Sequence, residues 1–283
     1  TNRGAIEGIN AMMPLVAILA VFGGFMGLNQ DLQESWTVIF CAIGGVVLAL
    51  GVGGFFLVEE TAVKSEENAR YFANIFYGFR PSVVKNNVSL YQTLLAVAVF
   101  NISISIFMPY LILYYTEALG MDDYVLIFAP AIVLAAAFTF FYGRVYDRKG
   151  FQTSILPPLG LLMGGFLVLF FFKNTALVFA GTLIMLCGYL SGMAVFGAVL
   201  RDYTPENKAG MFQGLRIVGQ VLIPGIIGPA IGAAVLANAE TIVNSDGTTS
   251  FVPNANIFAA ALTVGIAVTL CVIAVTKKRT AAK

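Results

Sequence analysis

The segment YGRVYDRKGF, residues 142–151, lies between two apolar runs, 124–143 and 153–172. Each run has the roughly 20 residues that an α-helix needs to cross the hydrocarbon of a bilayer. Within the segment, Gly143, Asp147, Arg148 and Gly150 form the pattern G-x-x-x-D-R-x-G, and Arg144 and Lys149 add further positive charge. A short basic connection between two apolar helices fixes a side of the membrane, because Lys and Arg accumulate on the cytoplasmic face.

Six more apolar runs surround this pair: 9–28, 36–58, 93–116, 175–199, 214–237 and 256–276. The chain of 283 residues is 59% hydrophobic and 11% charged. Soluble chains carry about a quarter charged residues, so the expected class is an all-α integral membrane protein with eight spans. Of its 16 Lys and Arg residues, all but Lys173 fall on the side of residues 142–151 in this topology. Both ends of the chain are therefore expected in the cytoplasm, in a multi-pass protein of the cell (inner) membrane. Trp36, Tyr114, Tyr115, Tyr124 and Tyr142 sit near span ends, as interfacial anchors do. The triplets beginning at Asn87 and Asn101 match the glycosylation pattern, but this topology puts neither on the outer face.

Several classes drop out. There is no His, so His-based acid–base chemistry and His metal sites are absent. Cys41, Cys187 and Cys271 all lie in apolar runs without disulfide or metal spacing. A net charge of +1 leaves no electrostatic footprint for nucleic acid. The acids lie in loops or near span ends, which leaves an intramembrane enzyme without reactive groups at depth. No cofactor or metal is expected.

The longest connection runs between the second and third spans. In it Tyr71, Phe72, Ile75, Phe76 and Phe79 fall on one helical face, with Ser65 as a cap and Gly78 and Pro81 near the end. An amphipathic helix on the inner membrane surface and a linker helix packed on the bundle both fit. Asp246-Gly247 in the polar stretch before the last span marks a hairpin turn.

An internal repeat organises the spans. RGAIEGI (3–9) matches AGMFQGL (209–215), with Gly4 on Gly210 and Gly8 on Gly214. Both stretches lead from a basic segment into a span from the same side. One precedes the first span and the other the seventh, so the unit is six helices repeated in parallel. That is the architecture of major facilitator transporters.

The G-x-x-x-D-R-x-G segment resembles the signature loop of the major facilitator superfamily, which lies between the second and third helices of each half. It stands here in that place within the second half; Phe151 and Gln152 depart from the further basic residues of the fuller pattern. The resemblance implies that Gly143, Asp147, Arg148 and Gly150 form a gating latch. By pseudo-symmetry its partner is the start of the first span, Gly4 to Gly8. A basic turn serving topology alone is the simpler alternative.

RDYTPENKAGMFQGLRIVGQVLIPGIIGPAIG (201–232), GFRPSVVKNN (78–87) and FMPYLILYY (107–115) together resemble bacterial sugar:cation symporters of the glycoside–pentoside–hexuronide type. The implied organisation has residues 1–58 as the last two helices of a first six-helix bundle, and 59–92 as a cytoplasmic connector. Residues 93–276 form a complete second bundle, and 277–283 a basic tail. The chain opens TNRGAIEGIN, without an initiator Met. The expectation is an N-terminally truncated fragment holding eight of twelve helices, the full protein being a monomer.

The implied function is secondary active transport of a small polar solute, a sugar or glycoside, by alternating access and with H+ or Na+ as coupling ion. The only partners expected are that solute and the lipid bilayer. A non-transporting binding or regulatory protein on the same scaffold is the alternative. A coupling carboxylate, where one is used, is expected upstream of residue 1. Candidates for the cavity are Asn101, Ser105 and Tyr110 on the third span, Tyr189 on the sixth and Gln220 on the seventh. For the Ser and Asn residues, interhelical hydrogen bonding is the competing reading. Arg216, near the inner end of the seventh span, is either a gate or cavity cation or a snorkelling interfacial residue.

Overall fold

A computed structural model describes residues 3–25, 28, 33–57, 77–121, 123–205, 209–243 and 249–281. Long helices dominate: α1 (Arg3–Phe25), α2 (Gln33–Leu57), α4 (Val88–Ala118), α5 (Tyr124–Ser154), α6 (Leu156–Phe171), α7 (Thr175–Tyr203) and α10 (Asn256–Ala281). A further rod is made of α8 (Ala209–Ile217) and α9 (Ile223–Val235), joined by a π-helical turn at Val218–Leu222. A 3-10 turn at Tyr77–Phe79 and the short helix α3 (Pro81–Asn86) precede α4.

Among the described residues, six helices are long and apolar enough to cross a membrane: α2, α4, α5, α7, the α8–α9 rod from Phe212, and α10. The other two of the eight expected spans correspond to α1 and to α6, an apolar helix of 16 residues. Local sequence explains several ends. Proline early in α6 lacks an N–H that the first helical turn would leave unpaired. Asn174 caps α7 by accepting from the Ala176 N–H at 3.0 Å. Pro109 interrupts α4, which passes through a 3-10 turn at Met108–Tyr110 and ends in a π-turn at Tyr114–Ala118.

The helices pack in a sequence of neighbours. α1 lies against α5 and α7, α7 against α5 and α6, α10 against α6 and α4, and α9 against α4. Rings knit the core: Phe107 on α4 meets Phe166 on α6 at 5.2 Å and Phe258 on α10 at 5.9 Å. α7 is the most buried span, and small residues let its neighbours approach. A Cβ on Gly165 of α6, for instance, would lie 2.6 Å from the Cα of Met185. α2 is the opposite case, with Phe40, Leu48, Leu50 and Phe55 all exposed.

Two details refine the expectations. In the connection at 144–152 the backbone stays helical up to a kink at Gly150, whose φ is 71° and ψ 179°, and a second short helical stretch follows it to Ser154. That left-handed φ is open to glycine and strained for other residues. The mostly helical fold also carries one small hairpin. Strands β1 (Thr241–Val243) and β2 (Thr249–Phe251) form an antiparallel hairpin between α9 and α10, pairing Thr241 with Phe251. Its turn, with Asp246 and Gly247, lies outside the described residues, as do Ser65, Tyr71, Phe72, Ile75 and Phe76 of the expected amphipathic helix.

Candidate functional site

At the basic end of the bundle, α1 meets α5 through glycine. A Cβ on Gly143 would lie 3.0 Å from the Cα of Ala5 and 2.8 Å from the carbonyl carbon of Gly4, closer than a side chain tolerates. One turn further along, a Cβ on Gly8 would sit 3.2 Å from the carbonyl oxygen of Thr139. Backbone therefore rests on backbone: at Gly4 and Gly143 only glycine permits this approach, and at Gly8 a side chain would be tight.

The close approach puts Asp147 over the start of α1. Its Oδ1 accepts from the Gly4 N–H at 2.8 Å and its Oδ2 from the Ala5 N–H at 3.2 Å. The first N–H groups of a helix lack partners within it, and the helix dipole makes that end positive. A carboxylate there satisfies two donors and the dipole together. Asp147→Asn keeps one acceptor oxygen but loses the charge. Charge-assisted hydrogen bonds contribute about 1.5–3 kcal/mol, against about 1 kcal/mol for neutral ones. The contact is thus expected to weaken by about 1.5 kcal/mol, roughly tenfold in population. Hydrogen exchange at the Gly4 and Ala5 amides should accelerate in that proportion; an unchanged rate contradicts the capping role.

A second polar link lies one turn into the bundle. Glu7 on α1, buried, forms an ion pair with Arg201 near the end of α7. Gly197 makes room for it: a Cβ there would lie 2.6 Å from Glu7 Oε2. Beside this pair, Tyr146 on α5 donates its hydroxyl to Asp202 of α7. Arg216, half-buried on α8, lies within electrostatic reach of Glu7 and Arg201. Its Nε is buried with no hydrogen-bond partner among the described residues. Arg148 and Gly150 are exposed. Neither Glu7–Arg201 nor Tyr146–Asp202 carried a sequence signal, because each joins residues far apart in the chain.

The cavity candidates divide. Asn101, Ser105 and Tyr110 line up along α4 against the α8–α9 rod. Asn101 Nδ2 donates to the Gln220 carbonyl at 2.9 Å. That carbonyl lies in the π-turn, where Ile223 N–H donates back to Val218 and the regular ladder is broken. Ser105 packs on Gly228, and the Tyr110 hydroxyl donates to the Pro229 carbonyl at 3.5 Å. Ser103 bonds the Ala261 carbonyl of α10 at 2.7 Å. Tyr189 stands apart on α7, its ring stacked 6.5 Å from Phe100. The amide of Asn101 thus holds two helices together. Asn101→Ala is expected to lower stability by about 0.6–2 kcal/mol, read as a lower melting temperature in detergent. Unchanged melting with lost solute uptake would instead assign the amide to the solute.

These features define a multi-pass helical membrane protein with a charged inter-helix contact at one end. The model of the Major Facilitator Superfamily matches residues 4–229, well over half of the chain, and the chain belongs to that superfamily. It is a membrane transporter by family, and the family's members are transporters rather than enzymes. No curated protein and no solved structure matches it.

Proposed function

We propose that the protein is a secondary transporter of a small polar solute, of the sugar or glycoside class, driven by alternating access and coupled to H+ or Na+. The observation that carries this reading is the seat of Asp147 on the first amides of α1. This contact is made by close backbone approach and charge-assisted hydrogen bonds at the basic end of a helix that packs along α5 and α7. It is strong enough to fix one arrangement and local enough to release as a unit. In the proposed cycle, α1 leaves α5 and α7 when the basic end opens, Asp147 and Glu7 becoming hydrated together. The pair reforms as that end closes.

The basic end is taken as cytoplasmic in the cell membrane, on the distribution of Lys and Arg. The six-helix repeat supports a twelve-helix whole, working as a monomer. Gly210 and Gly214, the counterparts of Gly4 and Gly8, have nothing within 4 Å of an added Cβ among the described residues. A second G-x-x-x-D-R-x-G segment seated on them would complete the symmetry, and the complete reading frame tests that.

Solute uptake tests the function. The product of the complete gene, reconstituted in liposomes, is expected to accumulate or exchange at least one member of a sugar and glycoside panel under an H+ or Na+ gradient. Binding without accumulation or exchange would favour a regulatory protein on the same scaffold. Neither binding nor flux across the panel would remove the sugar assignment.

A further inference from the structure

The outward stripe of α5 ends in three cations. Leu126, Val133, Leu134, Phe138 and Phe141 are exposed along one side of this helix. Beyond them Phe141, Arg144, Val145, Arg148 and Lys149 line a recess of about 260 Å³. The Arg144 guanidinium lies over two rings, 4.5 Å from the centroid of Phe140 and 5.5 Å from that of Phe141. Arg144, Arg148 and Lys149 are exposed, and none forms an ion pair or hydrogen bond among the described residues. The nearest acid in sequence, Asp147, is turned to the amides of α1.

Helix geometry sets the depth of this recess. Tyr124 begins α5 and Arg144 follows 20 residues later, which at about 1.5 Å per residue is roughly 30 Å. That is about the thickness of the hydrocarbon core. With Tyr124 at one interface, Arg144 stands at the other, at the level of lipid phosphates. An apolar stripe continuous with a cationic recess that has no ion pair among the described residues offers acyl chains and a phosphate their partners on one surface. A soluble phosphate would engage the cations alone, whereas a phospholipid engages the cations and the adjoining stripe together.

We propose that the recess of Arg144, Arg148 and Lys149 binds the phosphate of an anionic phospholipid, with its chains lying on Phe141 and Phe138. Arg144 is held in place by the rings it covers, so its planar donors face the phosphate with little ordering left to do. The site would place a lipid one turn from Asp147, on the opposite side of the helix from α1. It does not depend on the transported solute.

The test uses the protein purified in detergent and exchanged into mixed phosphatidylglycerol and phosphatidylcholine micelles, with retained lipid counted by mass spectrometry. The wild type should retain phosphatidylglycerol in preference to phosphatidylcholine. Each of Arg144→Gln, Arg148→Gln and Lys149→Gln should lower that retention about fivefold. Arg144→Lys, which keeps the charge and alters the fork and ring contact, should fall between. Circular dichroism screens folding, and should any single variant fail that screen the remaining ones carry the comparison. Excess inorganic phosphate should leave the lipid bound. Equal retention of both lipids, retention unchanged in the Gln variants, or complete displacement by inorganic phosphate would each overturn the proposal.

Discussion

Gly143→Val is expected to abolish transport while leaving the helices formed. Its Cβ would fall on the Gly4 carbonyl, and a branched side chain has no rotamer that escapes the backbone of α1. Overpacking of a close contact costs about 1–3 kcal/mol; the upper end applies where the obstacle is backbone on a helix that cannot yield locally. About 3 kcal/mol lowers the population of the closed arrangement by roughly a hundredfold. The variant should be trapped with its basic end open, still folded, still able to bind solute from that side. Uptake rates measured beside solute binding separate the two effects: flux near background with binding retained is the expected result. Normal flux would mean that α1 and α5 never need to meet this closely. Gly8→Val should act in the same direction and less, because its nearest obstacle lies at 3.2 Å.

Arg201→Ala is expected to have the second-largest effect. It leaves the carboxylate of Glu7 buried beside Gly197 without its ion partner. Removing one member of a buried pair costs about 3–5 kcal/mol. The Arg201 side chain is 43% exposed, so solvent screens part of this, and about 2 kcal/mol is the expected loss. Arg216 stands within reach of Glu7 and takes over part of the compensation, so Arg201→Ala with Arg216→Gln should be worse than either alone. The informative control is Glu7→Gln combined with Arg201→Ala. Removing the buried charge removes the penalty, and the double variant should be more stable than Arg201→Ala itself. Melting temperatures of these variants form a double-mutant cycle. Additive effects would show that Glu7 and Arg201 do not act on one another.

Much of this contact was legible in the sequence. The pattern Gly143, Asp147, Arg148, Gly150 marks one of the two segments, and the repeat of RGAIEGI in AGMFQGL, read by pseudo-symmetry, marks the other. A charged segment and a helix start on one side of the membrane have few other places to meet. The pattern also explains its own residues: Gly143 for approach, Asp147 for the cap, Gly150 for a left-handed break. The helical backbone of 144–149, up to the kink at Gly150, was hidden because basic residues lower hydropathy without lowering helix propensity. The β-hairpin before α10 was legible only as a turn, since three-residue strands are too short to show a period.

The cavity was harder to read. Asn101 and Ser105 share a face of α4, as their spacing requires, but spacing cannot say whether that face meets a solute or a neighbour. The deciding feature is the π-turn at Val218–Leu222, which presents the Gln220 carbonyl to Asn101. A π-turn depends on how one extra residue is accommodated in a helix, and no residue type marks it. Glu7 looked like an edge residue because it stands near the start of a span. Its burial follows from α1 being clasped between α5 and α7, a property of packing that hydropathy does not record.

The central claim is that Asp147 holds α1 in one state of a moving protein. Spin labels at Ile6→Cys on α1 and Lys149→Cys on α5, in a chain whose Cys41, Cys187 and Cys271 are replaced by serine, report that contact as a distance. Double electron–electron resonance in liposomes is expected to give a short and a long population, exchanging weight when a transported solute is added, with Asp147→Asn shifting weight to the long one. A single distance, unchanged by solute and by Asp147→Asn in a protein that still transports, would contradict the account.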